Sequence, residues 1–573
     1  MNLPKLGSLQ NLSNKEYRCS EASKLKKEYS SPACLFKLEM VKPGLYSIMN
    51  MKNQKYFQNT IKTMASAVKS DKQLWRFIDQ GNGNCAIQNV YNNEYMTKHA
   101  SQLSSKIGGA ELWRVADRED KSLYPVYEES FYGGLKNKKT SEYRNDHAKQ
   151  MSSSFKIPNC LYKMIKLGNG NYLLQNQDNY EYLQSSIGSM AKIFNSDKQE
   201  WILAKTDNAY TIQNVKNKEY MTNKASQLSS KVKGDGEKWT FPSISTERTE
   251  AWMKKYSYLI GSLPLSKICM PGSHDTGTFI QTYGTTWGTV RNTKTQIFDM
   301  QMQLMQGIRY FDIRPAYYKE EFHTVHCSNM GGSLGYQGAI GMSLSEAFLQ
   351  LDAFLKQHSD ELVILSFSHF MNWDNRNKDP KLTPEQQTKF LNLVKETLGD
   401  HLFCDGYSSL PKKIFNNIIK KGNVIALFND IDIKESDSDI GFWKKSAFHS
   451  KGGYSNTNNL SKMISNNDPE HPGQLQKLQS HNREKETTPF MFLLSWQLTL
   501  QGIQNVAGKS ILDLAAEANK ALNPTLSEWM SNGIINENVY PNIINTDACY
   551  NEKTHAVGLS VEICKLINKL IPA

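Results

Sequence analysis

The chain has 573 residues, of which 39% are hydrophobic and 22% are charged, a composition too apolar for a disordered protein. The formal net charge of +12 is a mild basic excess for this length and does not indicate a nucleic-acid partner. No apolar run reaches the ~18 residues that a membrane span needs.

The N-terminus lacks the apolar core of a signal peptide. The nine cysteines include no C-x-x-C pair, which argues against a zinc knuckle or a thioredoxin-type site. We therefore expect a soluble protein that is either cytoplasmic or exported without a signal peptide.

The first half of the chain contains a sixfold repeat. Each unit of the repeat contains an Asn, then a Tyr six residues later, and then an aromatic residue about nineteen residues after that Tyr. The Asn/Tyr pairs are Asn11/Tyr17, Asn50/Tyr56, Asn89/Tyr95, Asn137/Tyr143, Asn176/Tyr182 and Asn214/Tyr220, and the closing aromatics are Phe36, Trp75, Trp113, Tyr162, Trp201 and Trp239. Tyr17 and Tyr143 lie 126 residues apart, as do most corresponding residues, which indicates a tandem duplication of three units.

We name the two sets of three units the first block, residues 1–120, and the second block, residues 121–245. Alternating apolar and polar residues between Asn-containing turns predict short antiparallel strands. With Gln-x-Trp at 73–75 and 199–201, both blocks resemble the ricin-B-type β-trefoil family. The resemblance implies two β-trefoils with the closing aromatics in their cores, and binding modules for a glycan, a protein or a membrane.

After residue 242 short apolar runs alternate with amphipathic stretches. The predicted strands are 268–270, 308–313, 322–326, 362–368, 424–428, 490–496 and 543–545, and the predicted helices are 345–356, 384–398, 411–421, 511–530 and 557–570. Helix 345–356 places Ala347, Phe348, Leu351, Phe354 and Leu355 on one core-facing stripe. This alternation predicts one (β/α)8-like barrel in residues 246–573.

Polar motifs follow the first two predicted strands, at the barrel end where such folds carry their chemistry. PGSHDTGT at 271–278 places His274 and Asp275 in a glycine-containing turn, where a neutral histidine can act as a base. GIRYFDIR at 307–314 ends in Arg314, whose guanidinium suits a phosphate.

Strand alternation places side chains of two motifs on common faces. In the second motif Tyr310, Asp312 and Arg314 share a face. The third motif, FHTVH at 322–326, ends the third predicted strand with His326, and His323 is expected on the opposite face.

The three motifs in this order resemble the X-domain of phosphatidylinositol-specific phospholipase C (PI-PLC), of the bacterial and X-domain-only kind. The resemblance runs from about residue 254 to the C-terminus and includes ELVILSFSHF at 361–370 and NIINTD at 542–547. It implies a distorted, TIM-like β/α barrel. The expected fold class is therefore multidomain, with two all-β trefoils followed by an α/β catalytic domain.

The resemblance also implies a role for each catalytic residue. His274 is the general base on the inositol 2-hydroxyl, and Asp547 orients it. Arg314 binds the phosphate, His326 protonates the leaving diacylglycerol oxygen, and Asp275 supports that acid. The substrate-binding candidates are Asp312, Ser368 and Trp496.

The implied reaction cleaves phosphatidylinositol, or a glycosyl-phosphatidylinositol (GPI) anchor, into diacylglycerol and inositol 1,2-cyclic phosphate. We expect no cofactor and no metal, because Arg314 supplies positive charge. Calcium bound with the help of Asp312 is the alternative. A catalytically inactive lipid- or carbohydrate-binding protein is the alternative function, and the complete His/Arg/His set favours the enzyme. A glycerophosphodiesterase would need a metal-binding acidic signature that the sequence lacks.

The expected partner is a membrane surface that contains phosphatidylinositol, bound peripherally, with a glycan or protein ligand for the trefoils. Several weak sites in the blocks would raise the effective concentration of the barrel at that surface. We therefore expect residues 246–573 alone to stay active on soluble substrate and to lose activity on membranes.

Overall fold

The computed structural model describes residues 6–27, 34, 36–42, 44–50, 53, 55–81, 84–117, 125–192, 194, 196–242, 249–501, 508–548, 550–551, 556–557 and 559–572. The predicted domain boundaries at 120/121 and 245/246 lie outside these residues. The chain divides into two compact units, one of Met1–Tyr124 with Leu167–Asn169, and one of Pro125–Lys166 with Gly170–Ala573. The second block and the predicted barrel therefore belong to one unit.

The first unit contains a 12-stranded antiparallel sheet of short strands. Its strands are Leu6–Asn11, Tyr17–Arg18, Leu25–Lys26, Phe36–Lys42, Leu45–Asn50, Tyr56–Phe57, Met64–Ala65, Leu74–Asp79, Asn84–Asn89, Tyr95–Met96, Leu103–Ser104 and Leu112–Asp117. Phe36, Trp75 and Trp113 are fully buried in its core, which confirms the predicted role of the closing aromatics.

The second unit begins with a 13-stranded sheet. Its strands are Pro125–Gly134, Lys136–Asn137, Tyr143–Arg144, Met151–Ser152, Leu161–Leu167, Tyr172–Asn176, Tyr182–Leu183, Met190–Ala191, Glu200–Thr206, Ala209–Asn214, Tyr220–Met221, Leu228–Ser229 and Lys238–Thr240. Tyr162, Trp201 and Trp239 are fully buried, at the positions equivalent to those of the first block.

The repeated Asn residues close the turns of the repeat. All six are fully buried. Asn89, for example, donates from Nδ2 to the carbonyl oxygens of Lys72 and Leu74 and accepts at Oδ1 from the backbone N–H of Tyr91. An amide side chain supplies both a donor and an acceptor, so it can satisfy buried backbone groups where the chain turns.

An eight-stranded parallel sheet forms the centre of the C-terminal part. In spatial order its strands are Phe442–Lys444, Val424–Phe428, Val363–Phe367, Tyr310–Ile313, Met270–Ser273, Ile543–Thr546, Met491–Trp496 and Ser450–Gly452. The first strand in sequence pairs with the last, Met270 beside Ile543, which is the cyclic order of a β/α barrel. Within the described residues the ring is open between Phe442–Lys444 and Ser450–Gly452, the two ends of this order.

Helices surround this sheet. The α-helices are Trp252–Lys255, Ser257–Ile260, Val290–Thr293, Met300–Met305, Leu344–Gln357, Pro384–Leu398, Phe415–Ile419, Leu460–Ser465, Gln474–Gln479, Ile511–Ser531 and Leu559–Leu570. The predicted stripe of helix Leu344–Gln357 is buried, as expected. The predicted helix 411–421 is instead a 3₁₀ turn, Leu410–Lys412, followed by the short helix Phe415–Ile419. Every helix in the described part of the chain is too short or too polar to traverse a bilayer.

A separate five-stranded sheet corrects one prediction. Its strands in order are Tyr283–Gly284, Tyr336–Ser343, Glu321–Asn329, Pro315–Tyr318 and Met371–Asn372. The strand that carries His326 thus lies in this side sheet and not in the barrel. A register shift between His323 and Val325 also breaks the predicted alternation, so that Phe322, Thr324 and Val325 are all buried.

Candidate active site

The barrel brings together residues that are far apart in sequence. His274, Arg314, Ser368 and Asp547 each follow directly after a strand of the parallel sheet. Because the carboxyl ends of parallel strands meet at one edge of the barrel, these side chains converge there.

Asp275 lies at the centre of the cluster with its side chain 1% exposed. Arg314 Nε lies 2.5 Å from Asp275 Oδ1, and His274 Nε2 and His326 Nε2 each lie 3.5 Å from Oδ2. One buried carboxylate therefore faces a guanidinium and two imidazoles. These groups lower the pKa of Asp275, although burial alone would raise it.

His274 is held from both sides of its ring. Its Nδ1 lies 2.8 Å from Asp547 Oδ1, the pairing that the sequence resemblance implied. Burial disfavours the charged imidazole, but Asp275 and Asp547 outweigh that effect and raise the pKa of His274 to about 9. In the substrate-free site His274 therefore carries a proton at neutral pH.

The pKa of His326 shifts in the opposite direction from that of His274. His326 Nδ1 donates a hydrogen bond to the carbonyl oxygen of Thr293 at 3.1 Å, which leaves Nε2 facing Asp275. Burial, reinforced by the positive charges of Arg314 and His274, lowers its pKa, and Asp275 offsets only part of this. His326 is therefore neutral at pH 7.

The three substrate-binding candidates lie in different surroundings. Asp312 offers a carboxylate oxygen within 4.8 Å of ligand atoms of His274 and Asp275. Ser368 Oγ lies 3.0 Å from His369 Nδ1 at the same end of the barrel. Trp496 is fully buried away from this cluster: its Nε1 donates to the carbonyl oxygen of Ala518, and it packs among core residues. The structure therefore corrects the assignment of Trp496, which is a core residue.

The donor set does not fit calcium. Ca²⁺ takes six to eight oxygen ligands, whereas the group formed by His274, Asp275 and Asp312 includes a nitrogen donor. The carboxylate of Asp275 is also already paired with Arg314.

Sequence reasoning missed two polar side chains at this end of the barrel. Lys445 Nζ donates to Tyr310 Oη at 2.9 Å and to Ser366 Oγ at 2.5 Å, which places a cation beside the barrel interior. It follows the strand Phe442–Lys444, which was not predicted, so no motif pointed to it. Gln296 Nε2 donates to the carbonyl oxygen of His274, a contact that leaves no local pattern in the sequence.

The packing of the first motif requires the second of its two glycines, Gly277. Its φ is +94°, in the region that favours glycine, and a Cβ there would lie 2.4 Å from Thr324 Cγ2. The glycine therefore allows the loop that carries His274 and Asp275 to pack closely against the strand that carries His326.

The chain is similar to known proteins over part of its length. No family model matches it. It is 30% identical over 176 residues to the PI-PLC X domain-containing protein 3 of Bos taurus, covering 26% of this chain and 49% of that protein. It is 27% identical over 146 residues to the PI-PLC X domain-containing protein 2 of Mus musculus, covering 22% of this chain and 40% of that protein. The chain thus spans about half the length of the curated relatives it matches.

Bacterial phosphatidylinositol-specific phospholipases C are among the similar solved structures. The enzyme of Staphylococcus aureus has 16% sequence identity and a TM-score of 0.38, with 56% of this chain and 98% of that chain covered. The enzyme of Listeria monocytogenes has 16% identity and a TM-score of 0.36, with 56% and 99% covered.

Proposed function

We propose that the chain is a phospholipase C that cleaves phosphatidylinositol, or a GPI-type lipid, into diacylglycerol and inositol 1,2-cyclic phosphate. The observation that carries the proposal is the buried carboxylate of Asp275, which faces Arg314, His274 and His326 at the carboxyl end of a barrel. The names of the curated relatives point to the same lipid class.

The cluster supplies what an internal phosphodiester displacement needs. His274 takes the proton of the inositol 2-hydroxyl, and the resulting oxygen nucleophile attacks phosphorus. The bond from phosphorus to the diacylglycerol oxygen breaks, and that oxygen takes a proton from His326. Arg314 balances the charge on the phosphoryl oxygens, and Asp547 holds the His274 ring in place.

The proton distribution of the substrate-free site is the reverse of the productive one. The reaction needs neutral His274 and protonated His326, whereas the pKa of His274 is raised to about 9 and that of His326 is lowered. With one proton shared by the pair, His274 holds it in most molecules and His326 in a small fraction. A phosphodiester anion beside His326 stabilises its protonated form and so increases this fraction.

This arrangement predicts the pH profile. We expect kcat/KM to be bell-shaped, falling at pH values below 6.5 as His326 gains a proton and above about 9 as His274 loses one. Asp547→Asn removes an anion that raises the pKa of His274, so the alkaline limb should move to lower pH. Steady-state rates from pH 5 to 10 measure both limbs, and an alkaline limb that stays in place in Asp547→Asn contradicts the assignment.

We also propose that the reaction needs no metal, because Arg314 already supplies a positive charge where the phosphate would lie. The test is release of diacylglycerol from mixed micelles of phosphatidylinositol, with and without a chelator, and with phosphatidylcholine micelles as the control. We expect equal release from phosphatidylinositol in both conditions and none from phosphatidylcholine. Loss of activity on chelation contradicts metal independence, and no release from either lipid contradicts the function.

We further propose that the two blocks are β-trefoils that hold the protein peripherally at a membrane through a glycan, protein or lipid ligand. Six related units with buried closing aromatics support the trefoil interpretation. Co-sedimentation with phosphatidylinositol vesicles, with and without glycolipid, tests the binding role, and no co-sedimentation with either vesicle contradicts membrane targeting by a lipid or a glycan.

A further inference from the structure

A buried ion pair joins the second block to the barrel. Lys163, in strand Leu161–Leu167, has its side chain 1% exposed, and its Nζ lies 2.6 Å from Asp299 Oδ2. The rings of Tyr127 and Tyr132 flank the ammonium group, with centroids 4.9 and 5.2 Å from Nζ. Taking two charges out of water is costly, and the proposed reaction uses neither of them.

The second block makes two more hydrogen bonds here, one to the Asp299 side chain and one to the backbone next to it. Asp299 is the N-cap of helix Met300–Met305, and its Oδ1 accepts from the hydroxyl of Tyr132 at 2.6 Å. The hydroxyl of Tyr180, from the same block, donates to the carbonyl oxygen of Ile297 at 2.7 Å. The block thus fixes the C-terminal end of the segment 293–299.

The remainder of this segment contacts the two histidines of the active site. Thr293 O accepts from His326 Nδ1 at 3.1 Å, and Gln296 Nε2 donates to the carbonyl oxygen of His274 at 2.7 Å. This seven-residue segment therefore contacts the second block at its C-terminal end and both histidines through Thr293 and Gln296.

We propose that the second block is a positioning part of the active site, and that Lys163, through Asp299, sets where the segment 293–299 holds His326. Lys163 acts as a positioning residue, since it does not lie among the reacting groups. The proposal rests on the proposed function for its kinetic readout only.

The repeat provides an internal comparison. Lys37 occupies the equivalent strand position in the first block, 126 residues earlier. Its side chain is 45% exposed and lies 3.5 Å from Glu39. A lysine at this position is therefore compatible with a solvated surface of the repeat, and the burial of Lys163 arises from its contact with Asp299.

The contacts also change one expectation drawn from the sequence. Residues 246–573 alone would lack Lys163, Tyr132 and Tyr180, and so every contact described above from the second block to the segment 293–299. The proposal therefore predicts that this part of the chain loses activity on soluble substrate as well as on membranes.

The test uses the full-length chain with Lys163→Met, the conservative variant Lys163→Arg and the matched control Lys37→Met. We expect Lys163→Met to lower kcat by ~10-fold or more and to change KM by less than about 2-fold, because it moves the acid and not the substrate contacts. Lys163→Arg should recover most of this loss, and Lys37→Met should behave as wild type.

Two readouts do not depend on activity. In Lys163→Met, hydrogen–deuterium exchange of the peptide that spans 293–299 should be faster than in wild type. The pKa of His326, followed by NMR of labelled histidine, should fall, because the contact with Thr293 O that raises it is loosened. Both should be unchanged in Lys37→Met.

The proposal is overturned if folded Lys163→Met shows the wild-type hydrogen–deuterium exchange of 293–299 and the wild-type pKa of His326. It is also overturned if Lys37→Met changes these two quantities as much as Lys163→Met does. If the wild-type chain cleaves no phosphodiester, the proposed function fails, and the exchange and the titration still decide the present inference. If Lys163→Met does not fold, Tyr180→Phe takes its place, because this variant removes only the hydroxyl that binds Ile297 O. Faster exchange of 293–299 and a lower pKa of His326 then support the proposal, and no change in either overturns it.

Discussion

His274→Ala and His326→Ala should each lower kcat by at least ~100-fold, the scale of a lost general base or acid. Each histidine is the proposed carrier of one proton transfer, and both lie 3.5 Å from the same carboxylate oxygen of Asp275. Because the two transfers belong to one displacement, the double variant should be little slower than the slower single variant. Steady-state rates on micellar phosphatidylinositol measure the three effects.

His323→Ala is the matched control, because His323 lies three residues before His326 in the same strand. It contacts Glu321 and lies outside the cluster around Asp275. We expect this variant to stay within a few-fold of wild type, with circular dichroism confirming that all variants fold. Near-normal turnover of either His274→Ala or His326→Ala would contradict the assignment of these two residues.

Asp275→Asn should combine a large loss of activity with a large loss of stability. The substitution leaves Arg314 and protonated His274 without their shared carboxylate, and breaking a buried pair in this way typically costs about 3–5 kcal/mol. The φ of Asp275 is +44°, which asparagine tolerates. Asp275→Asn therefore removes the charge without straining the backbone, whereas Asp275→Ala should cost more.

The effect of Asp275→Asn on stability should depend on pH. The folded-state pKa of Asp275 lies below its ordinary value of 3.8. Its contribution to stability is therefore fully present above about pH 3.8 and is lost as the pH falls through the folded-state pKa. The pKa of His274 is raised, so its contribution is present below about 6.5 and is lost as the pH rises through about 9. The difference in unfolding free energy between wild type and variant should therefore be largest between about pH 4 and 6.5.

Glu361→Gln is the control that separates a general loss of stability from a change in the pKa of His274. Glu361 and Arg309 form an ion pair away from the cluster around Asp275, with both side chains fully buried and with Nη2 and Oε2 2.6 Å apart. This variant should also be destabilised, but the pKa of His274 should stay near 9, whereas in Asp275→Asn it should fall. Denaturant unfolding and NMR titration of labelled histidine measure both quantities, and a His274 pKa that does not change in Asp275→Asn would contradict the central role of this carboxylate.

Much of the site could be predicted because its residues sit in local motifs. His274 and Arg314 directly follow strands with an apolar pattern, and the burial of the closing aromatics follows from the repeat. The strands Phe442–Lys444 and Ser450–Gly452 were missed because each has three residues, with only two apolar residues in the first and none in the second, too few for an apolar run. Lys445 was missed together with the first of them.

Contacts between distant parts of the chain leave no local signal. The strand of His326 alternates like a barrel strand, and only its pairing partners show that it belongs to the side sheet. Trp496 ends a barrel strand as a site residue could, but its side chain packs into the core. Lys163 looks like its counterpart Lys37, and its burial depends on Asp299, 136 residues away.

The most direct test of the central claim is a ³¹P NMR time course of full-length protein acting on micellar phosphatidylinositol in the presence of a chelator. If His274 activates the inositol 2-hydroxyl, the first water-soluble product is the five-membered 1,2-cyclic phosphodiester, whose resonance is well separated from that of an acyclic phosphate. We expect this signal to appear first and to be absent with His274→Ala. An acyclic inositol phosphate as the first product, or no water-soluble phosphate at all, would contradict the account.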